Sequence, residues 1–144
     1  MASPLALIDD WEPPRAAAVL VGGEIVDDRG DTSVTVWWAS LTKLATALAT
    51  MLAVAGGDLG LDEPAGPPGS TVRHLLAHAS GLDRDEVRVR AGPGAQRIYS
   101  NAGYEVLAAT VASAVGQPFD GWLSSAVLEP LGMTQTDFVY RAEL

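Results

Sequence analysis

Trp37-Trp38-Ala39-Ser40-Leu41-Thr42-Lys43 runs directly into a segment, 44–55, whose only polar residues are Thr46 and Thr50. Those residues predict a helix starting at Ser40, running to Ala55 and stopped by Gly56-Gly57. A helix apolar on nearly every side belongs in the middle of a domain, which makes this stretch the expected core element. Ser40 and Lys43, one helical turn apart, fall on one face near its start. Helical side chains lean toward the N-terminus, so the Lys43 amine is expected to approach the Ser40 hydroxyl. A serine hydroxyl needs such a base to act as a nucleophile, and the positive end of a helix favours an oxyanion beside it. A lysine at the head of a buried helix is neutralised or paired, so Lys43 is expected to act as the base. Against this stands coincidence: a chain of this size contains about one Ser-x-x-Lys by chance.

A second group, Tyr99-Ser100-Asn101, lies between the turn-rich Ala91-Gly92-Pro93-Gly94 and an amphipathic pattern. Tyr can serve as acid or base beside a cation, and Asn can donate to a substrate carbonyl. The alternative is an Asn or Ser helix cap with an aromatic packed next to it.

Five blocks occur in order: Ala39-Ser40-Leu41-Thr42-Lys43, Leu59-Gly60-Leu61-Asp62-Glu63-Pro64, Thr71-Val72-Arg73-His74-Leu75-Leu76-Ala77-His78-Ala79-Ser80-Gly81-Leu82, Tyr99-Ser100-Asn101-Ala102-Gly103-Tyr104 and Leu131-Gly132-Met133. Together they resemble the serine β-lactamase-like superfamily, in particular the branch of class C β-lactamases, their esterase relatives and D-alanyl-D-alanine carboxypeptidases. The likeness extends from about Ala16 to Phe138. It implies that Ser40 is the acylated nucleophile, Lys43 its partner base, Tyr99 the second acid/base and Asn101 a substrate-orienting residue. No metal site and no cofactor are expected. The family also carries a Lys/His-Thr/Ser-Gly tripeptide on a later strand that lines the far side of the cleft and supplies an oxyanion donor. No such tripeptide stands in these 144 residues, and the segment between Asp27-Asp28-Arg29-Gly30 and Trp37-Trp38 is short for the family. The expectation is therefore a serine hydrolase acting on an ester, a β-lactam or a D-alanyl peptide. The alternative is a catalytically incomplete homologue or fragment that binds, scaffolds or needs a complementary segment.

Composition bounds the rest. An apolar content of 48% suits a single globular domain over 1–144. A formal charge of −9 argues against nucleic acid and anionic membrane surfaces, while the resemblance implies a small acyl substrate as the partner. With no cysteine there is no disulfide or thiolate chemistry. The first ten residues lack the basic start and long apolar run of a signal peptide. No apolar stretch reaches the roughly 20 residues of a membrane span, so a cytoplasmic protein is expected.

The fold class expected is α+β: a mostly helical region with an N-terminal β-hairpin, as in part of the β-lactamase/transpeptidase-like fold. The first 14 residues are read as a flexible lead. Strands follow at Ala16–Val21 and 24–28, around a Gly22-Gly23 turn. Residues 34–38 read as extended, and 71–78 as a short helix capped by Ser70. Tyr104, Leu107, Ala108, Val111 and Val115 keep helical spacing up to Gly116, and Phe119, Trp122, Leu123, Ala126 and Val127 do so up to Pro130. His74 and His78 are spaced for a metal but lack a third ligand. Ser80 reads as a turn residue, and Trp37 and Trp38 as walls of the cleft or core. Two strands are marginal alone, so self-association through uncovered sheet or helix surface is expected.

Overall fold

The computed structural model describes residues 4–12, 16–31 and 33–138. Its α+β make-up is the one the sequence predicts. The chain divides into two compact units, the first ending at Trp37 and the second beginning at Trp38.

In the first unit, β1 (Ala16–Val21) pairs antiparallel with β2 (Glu24–Gly30). Gly22 and Gly23 both have positive φ, the conformation of a two-residue turn whose twist matches the strands. The register shifts between Val19 and Leu20, a bulge. The flexible lead is not what the structure describes for 4–10: Pro4–Asp10 is a 3-10 helix packed on the hairpin. Ile8 is buried, and Arg29 Nε donates to Asp9 at 2.7 Å, so one apolar and one ionic contact fix the segment. Residues 1–3 and 13–14 of that lead lie outside the described residues.

The second unit is helical. A 3-10 turn, Ala39–Leu41, leads into α1 (Thr42–Gly56), which ends on left-handed Gly57. Residues 34–38 form no strand. α2 (Val72–Leu76) is capped by Thr71 rather than Ser70: the Thr71 N–H donates to His74 Nδ1 at 3.2 Å. Ser70 is instead buried, its hydroxyl without a partner among the described residues. α3 (Asn101–Val115) ends on Gly116, and α4 (Phe119–Leu123) continues into a π turn, Ser124–Leu128.

The core has two centres. Ala53, Leu59, Val72, Leu75, Leu82, Leu107 and Val111 join α1, α2 and α3. Ala45, Ala49, Leu123, Val127 and Leu128 join α1 to α4 and the π turn, with Trp38 and Met133 against them. Trp122 Nε1 donates to the Ala49 carbonyl at 3.1 Å, tying α4 to the middle of α1. Trp38 thus belongs to the core wall, whereas Trp37 is exposed.

α1 differs from expectation in one respect. Its buried face is the small one, Ala45, Thr46, Ala49, Thr50 and Ala53. Small side chains let neighbouring helices approach closely, and both threonines satisfy their hydroxyls on carbonyls one turn back, Thr50 on Thr46 at 2.8 Å and Thr46 on Thr42 at 3.0 Å. Leu41, Leu44, Leu48, Met51 and Leu52 are exposed, Leu44 to 70%. Together with its 3-10 turn the helix is also 18 residues long over Ala39–Gly56, enough by length and composition alone to cross a membrane. The helix expected from the sequence, 40–55, is two residues shorter and falls below the roughly 20 residues of a span.

Candidate active site

Two helix starts, those of α1 and α3, face each other across the site. Ser40 sits exposed in the 3-10 turn before α1, directly after Ala39, whose φ of 45° is unusual for a residue with a Cβ. Such strain persists only where the surroundings hold it, and it concentrates at functional turns. The Leu41 N–H is already engaged by the Trp38 carbonyl at 2.9 Å, which anchors the turn. Lys43, half-buried, lies on α1 one turn on.

The α3 start supplies the rest. Ser100 is its N-cap: the hydroxyl accepts from Gly103 N–H at 2.8 Å and donates to the Asp83 carbonyl at 2.5 Å. That cap fixes Tyr99 just outside the helix and Asn101 as its first residue. The Tyr99 hydroxyl donates to Ser40 Oγ at 2.7 Å. Lys43 Nζ donates to Asn101 Oδ1 at 2.6 Å and lies over the rings of Tyr99 and Tyr104, 5.0 and 5.7 Å from their centroids. All four residues singled out by the sequence, Ser40, Lys43, Tyr99 and Asn101, therefore meet.

Their pairing is not the expected one. Ser40 is bonded to Tyr99 rather than to Lys43, whose ammonium is held by Asn101. The hydrogen bond to Ser40, and after it that to Lys43, lowers the Tyr99 phenol below its ordinary pKa of 10.0. Asn101 is oriented without ambiguity, because its Nδ2 donates to Asp85 Oδ1 at 2.6 Å while Oδ1 meets a cation. Its backbone N–H donates to the Arg84 carbonyl at 2.6 Å.

Three further residues, Tyr104, Asp85 and His78, support this group. Tyr104 stands three positions after Asn101 and so shares its helix face, a signal that was available. Asp85 carries no local signal, since its loop meets Asn101 only through tertiary folding. His78 was weighed as a metal ligand with His74, on the premise of a shared helix face. α2 ends at Leu76, and His78 turns away with a φ of 58°. Each histidine has its own partner, His74 the Thr71 N–H and His78 the Ser100 N–H. Burial first, then Arg97 and Lys43, lowers the His78 pKa from 6.5. Ser80, buried beside Gly81, accepts from Leu82 N–H at 3.4 Å, as a turn residue.

Comparison with known proteins identifies the family. The family model described as Beta-lactamase matches residues 12–142. The chain belongs to the beta-lactamase family. A beta-lactamase structure from Mycobacterium bovis is 46% identical and superposes with a TM-score of 0.86, covering 90% of this chain and 48% of that one. Esterase EstB of Burkholderia gladioli is 32% identical over 148 residues, 70% of this chain and 38% of the esterase. Penicillin-binding protein 4* of Bacillus subtilis (strain 168) is 30% identical over 131 residues, 68% of this chain and 29% of that protein. The chain thus spans about a third of the length of these two curated relatives. Hairpin and helices match part of the beta-lactamase fold.

Proposed function

We propose that Ser40 is an acyl-accepting nucleophile and that the chain works as a serine hydrolase on an ester, a β-lactam or a D-alanyl peptide. The observation carrying this reading is the 2.7 Å contact between Tyr99 and Ser40, with the Lys43 ammonium over the same phenol ring. Lys43 stabilises the phenolate by charge. The ionised Tyr99 takes the Ser40 proton as Oγ attacks the substrate carbonyl. The bond to the leaving alcohol or amine then breaks, and Tyr99 returns its proton to that group. Water, deprotonated by the same phenolate, attacks the acyl carbonyl; the ester bond to Ser40 Oγ breaks, Tyr99 gives that proton to Oγ, and the acid is released. Asn101, held by Asp85 and Lys43, is placed to orient the substrate carbonyl. The names of the relatives, an esterase, a penicillin-binding protein and a beta-lactamase, are what bring those substrate classes forward.

A second reading, that these residues acylate but do not turn over without further structure, is favoured by the exposed leucine face of α1 and the chain's one-third span of its curated relatives. One experiment addresses both. A fluorophosphonate or a fluorescent penicillin is added, the labelled peptide mapped by mass, and release of the label followed. Label on Ser40 that hydrolyses supports the hydrolase, and stable label supports the second reading. Label on Ser80 or Ser100, with none on Ser40, would sink both.

A further inference from the structure

We propose that His78 is a positioning residue that holds the Tyr99 phenol against Ser40, and that it does so only as the neutral imidazole. The proposal rests on the acyl-serine reading given above, and deepens it.

The backbone on both sides of Tyr99 is tied to His78. The Ile98 N–H donates to the His78 carbonyl at 2.8 Å, and the Ser100 N–H donates to His78 Nδ1 at 3.1 Å. The imidazole also packs on the Tyr99 ring, centroids 4.5 Å apart, and on the Tyr104 ring at 4.8 Å. Tyr104 is itself fixed, its hydroxyl donating to the Leu76 carbonyl at 3.1 Å. His78 therefore governs where Tyr99 stands without touching the nucleophile. Its left-handed backbone turns it from the end of α2 toward the α3 start, and Asn, Asp and His are among the residues that adopt this conformation most readily.

The clamp depends on charge. Nδ1 can accept from Ser100 only when the ring proton is on Nε2. An imidazolium would present a second N–H to the Ser100 N–H and lose the bond. The charged groups facing His78 are Lys43 of α1 and Arg97 of the loop before Tyr99, both cations; Tyr99 and Tyr104 are its aromatic neighbours. Burial and those cations depress its proton affinity, so the folded site holds the neutral form to lower pH than the unfolded chain does. The sign follows. The unfolded chain gains a proton near pH 6.5 and the folded chain only lower, so this contribution to stability is complete above 6.5 and declines as pH falls below it.

The test uses the full chain and two variants. His78→Asn keeps a residue suited to positive φ and offers Oδ1 in place of Nδ1, but cannot titrate. His78→Gly keeps the backbone conformation and removes both acceptor and ring. Fluorophosphonate labelling of Ser40 is measured as a maximal rate and a half-saturating concentration across pH 4.5–8, with circular dichroism as the check on folding. A displaced catalytic group loses on the order of 10²-fold. His78→Gly should lose about that much in maximal rate, with the half-saturating concentration little changed. His78→Asn should recover most of the loss, and its profile should lose the step that tracks His78 while keeping the rise that tracks Tyr99 ionisation. In parallel, NMR follows the His78 ring nitrogens and the Tyr99 ring signals through the same titration. The Tyr99 signals should move in step with His78 in the wild type and lose that step in His78→Asn. A folded His78→Gly labelled at the wild-type rate overturns the proposal, as does a Tyr99 that ignores the His78 titration. If the wild type is not labelled on Ser40 at all, the acyl-serine reading falls, and the NMR titration still decides the clamp. If His78→Gly does not fold, His78→Asn and the NMR titration decide it.

Discussion

α1 and α3 are each 15 residues long and each ends on a left-handed glycine, yet their starts are built in opposite ways. The α3 start is buried and anchored: Ser100 caps it, His78 and the Arg84 carbonyl hold its backbone, and Asp85 holds Asn101. The α1 start has no side-chain cap, passes through a 3-10 turn and leaves Ser40 exposed after a strained Ala39. A nucleophile must be reachable, whereas the groups that activate it must be immobile. In the proposed reaction the anchored start holds the base and the open one offers the hydroxyl.

The sharpest break of that comparison lies in the two candidate bases. Tyr99→Phe removes the hydroxyl bonded to Ser40 and should slow acylation by about 10²–10⁴-fold. Lys43→Ala should lose less, because Lys43 acts on Ser40 through Tyr99. The reverse order, measured as labelling rates on folded variants, would restore the simpler picture of a lysine base drawn from sequence spacing. The pH profile separates the roles further. Phenolate is the active form, so the rate should climb as pH rises through a midpoint below 10, and be lost below it. Removing Lys43 should move that midpoint back up toward 10, since one of the groups that lowers it is gone.

Next in size is the loop behind the anchored start. Gly81 has a φ of 86°, and a Cβ there would stand 2.0 Å from the Ala91 carbonyl oxygen. The same Gly81 presents its own carbonyl to the Arg90 N–H at 2.8 Å, so the two backbones cannot part without losing a bond. Gly81→Ala should destabilise the chain by roughly 3 kcal/mol or more, read as the shift in a urea unfolding curve. An unchanged curve would show that the loop does not brace α3. Ser100→Ala should cost about 1–2 kcal/mol, because it removes a helix cap from a buried site. Loss of stability without loss of labelling rate would separate capping from the placement of Tyr99.

The smallest effect belongs to the open side. Leu44→Gln replaces an exposed leucine on α1 and should change stability by no more than about 0.5 kcal/mol. A loss above 1 kcal/mol in the same urea experiment would mean that this face is covered in solution.

Much of the site was legible because its four residues lie in short local blocks. Ser40 and Lys43 declare themselves by helical spacing, and Tyr99-Ser100-Asn101 by its place between a turn and an amphipathic run. Their pairing was not legible. Lys43 and Asn101 are 58 positions apart, Tyr99 and Ser40 59, and no local pattern sets which amine meets which oxygen across that distance. The 3-10 helix over Pro4–Asp10 was not legible for a related reason: a short segment with little periodicity meets the hairpin through a distant partner, Asp9 with Arg29.

By itself the sequence determined the elements and their ends, because helical period, paired turn glycines and terminal glycines act through local sterics and short-range hydrogen bonds. It also singled out four residues that the structure brings together. Only the tertiary structure decided that the small face of α1 is the buried one, since close helix packing favours Ala and Thr over Leu at that contact. Only the tertiary structure, too, gave Ser40 to Tyr99 and Lys43 to Asn101. Those bonds depend on where the capped start of α3 is held, and it is held by His78, Asp83 and Asp85, residues from a loop outside both helices.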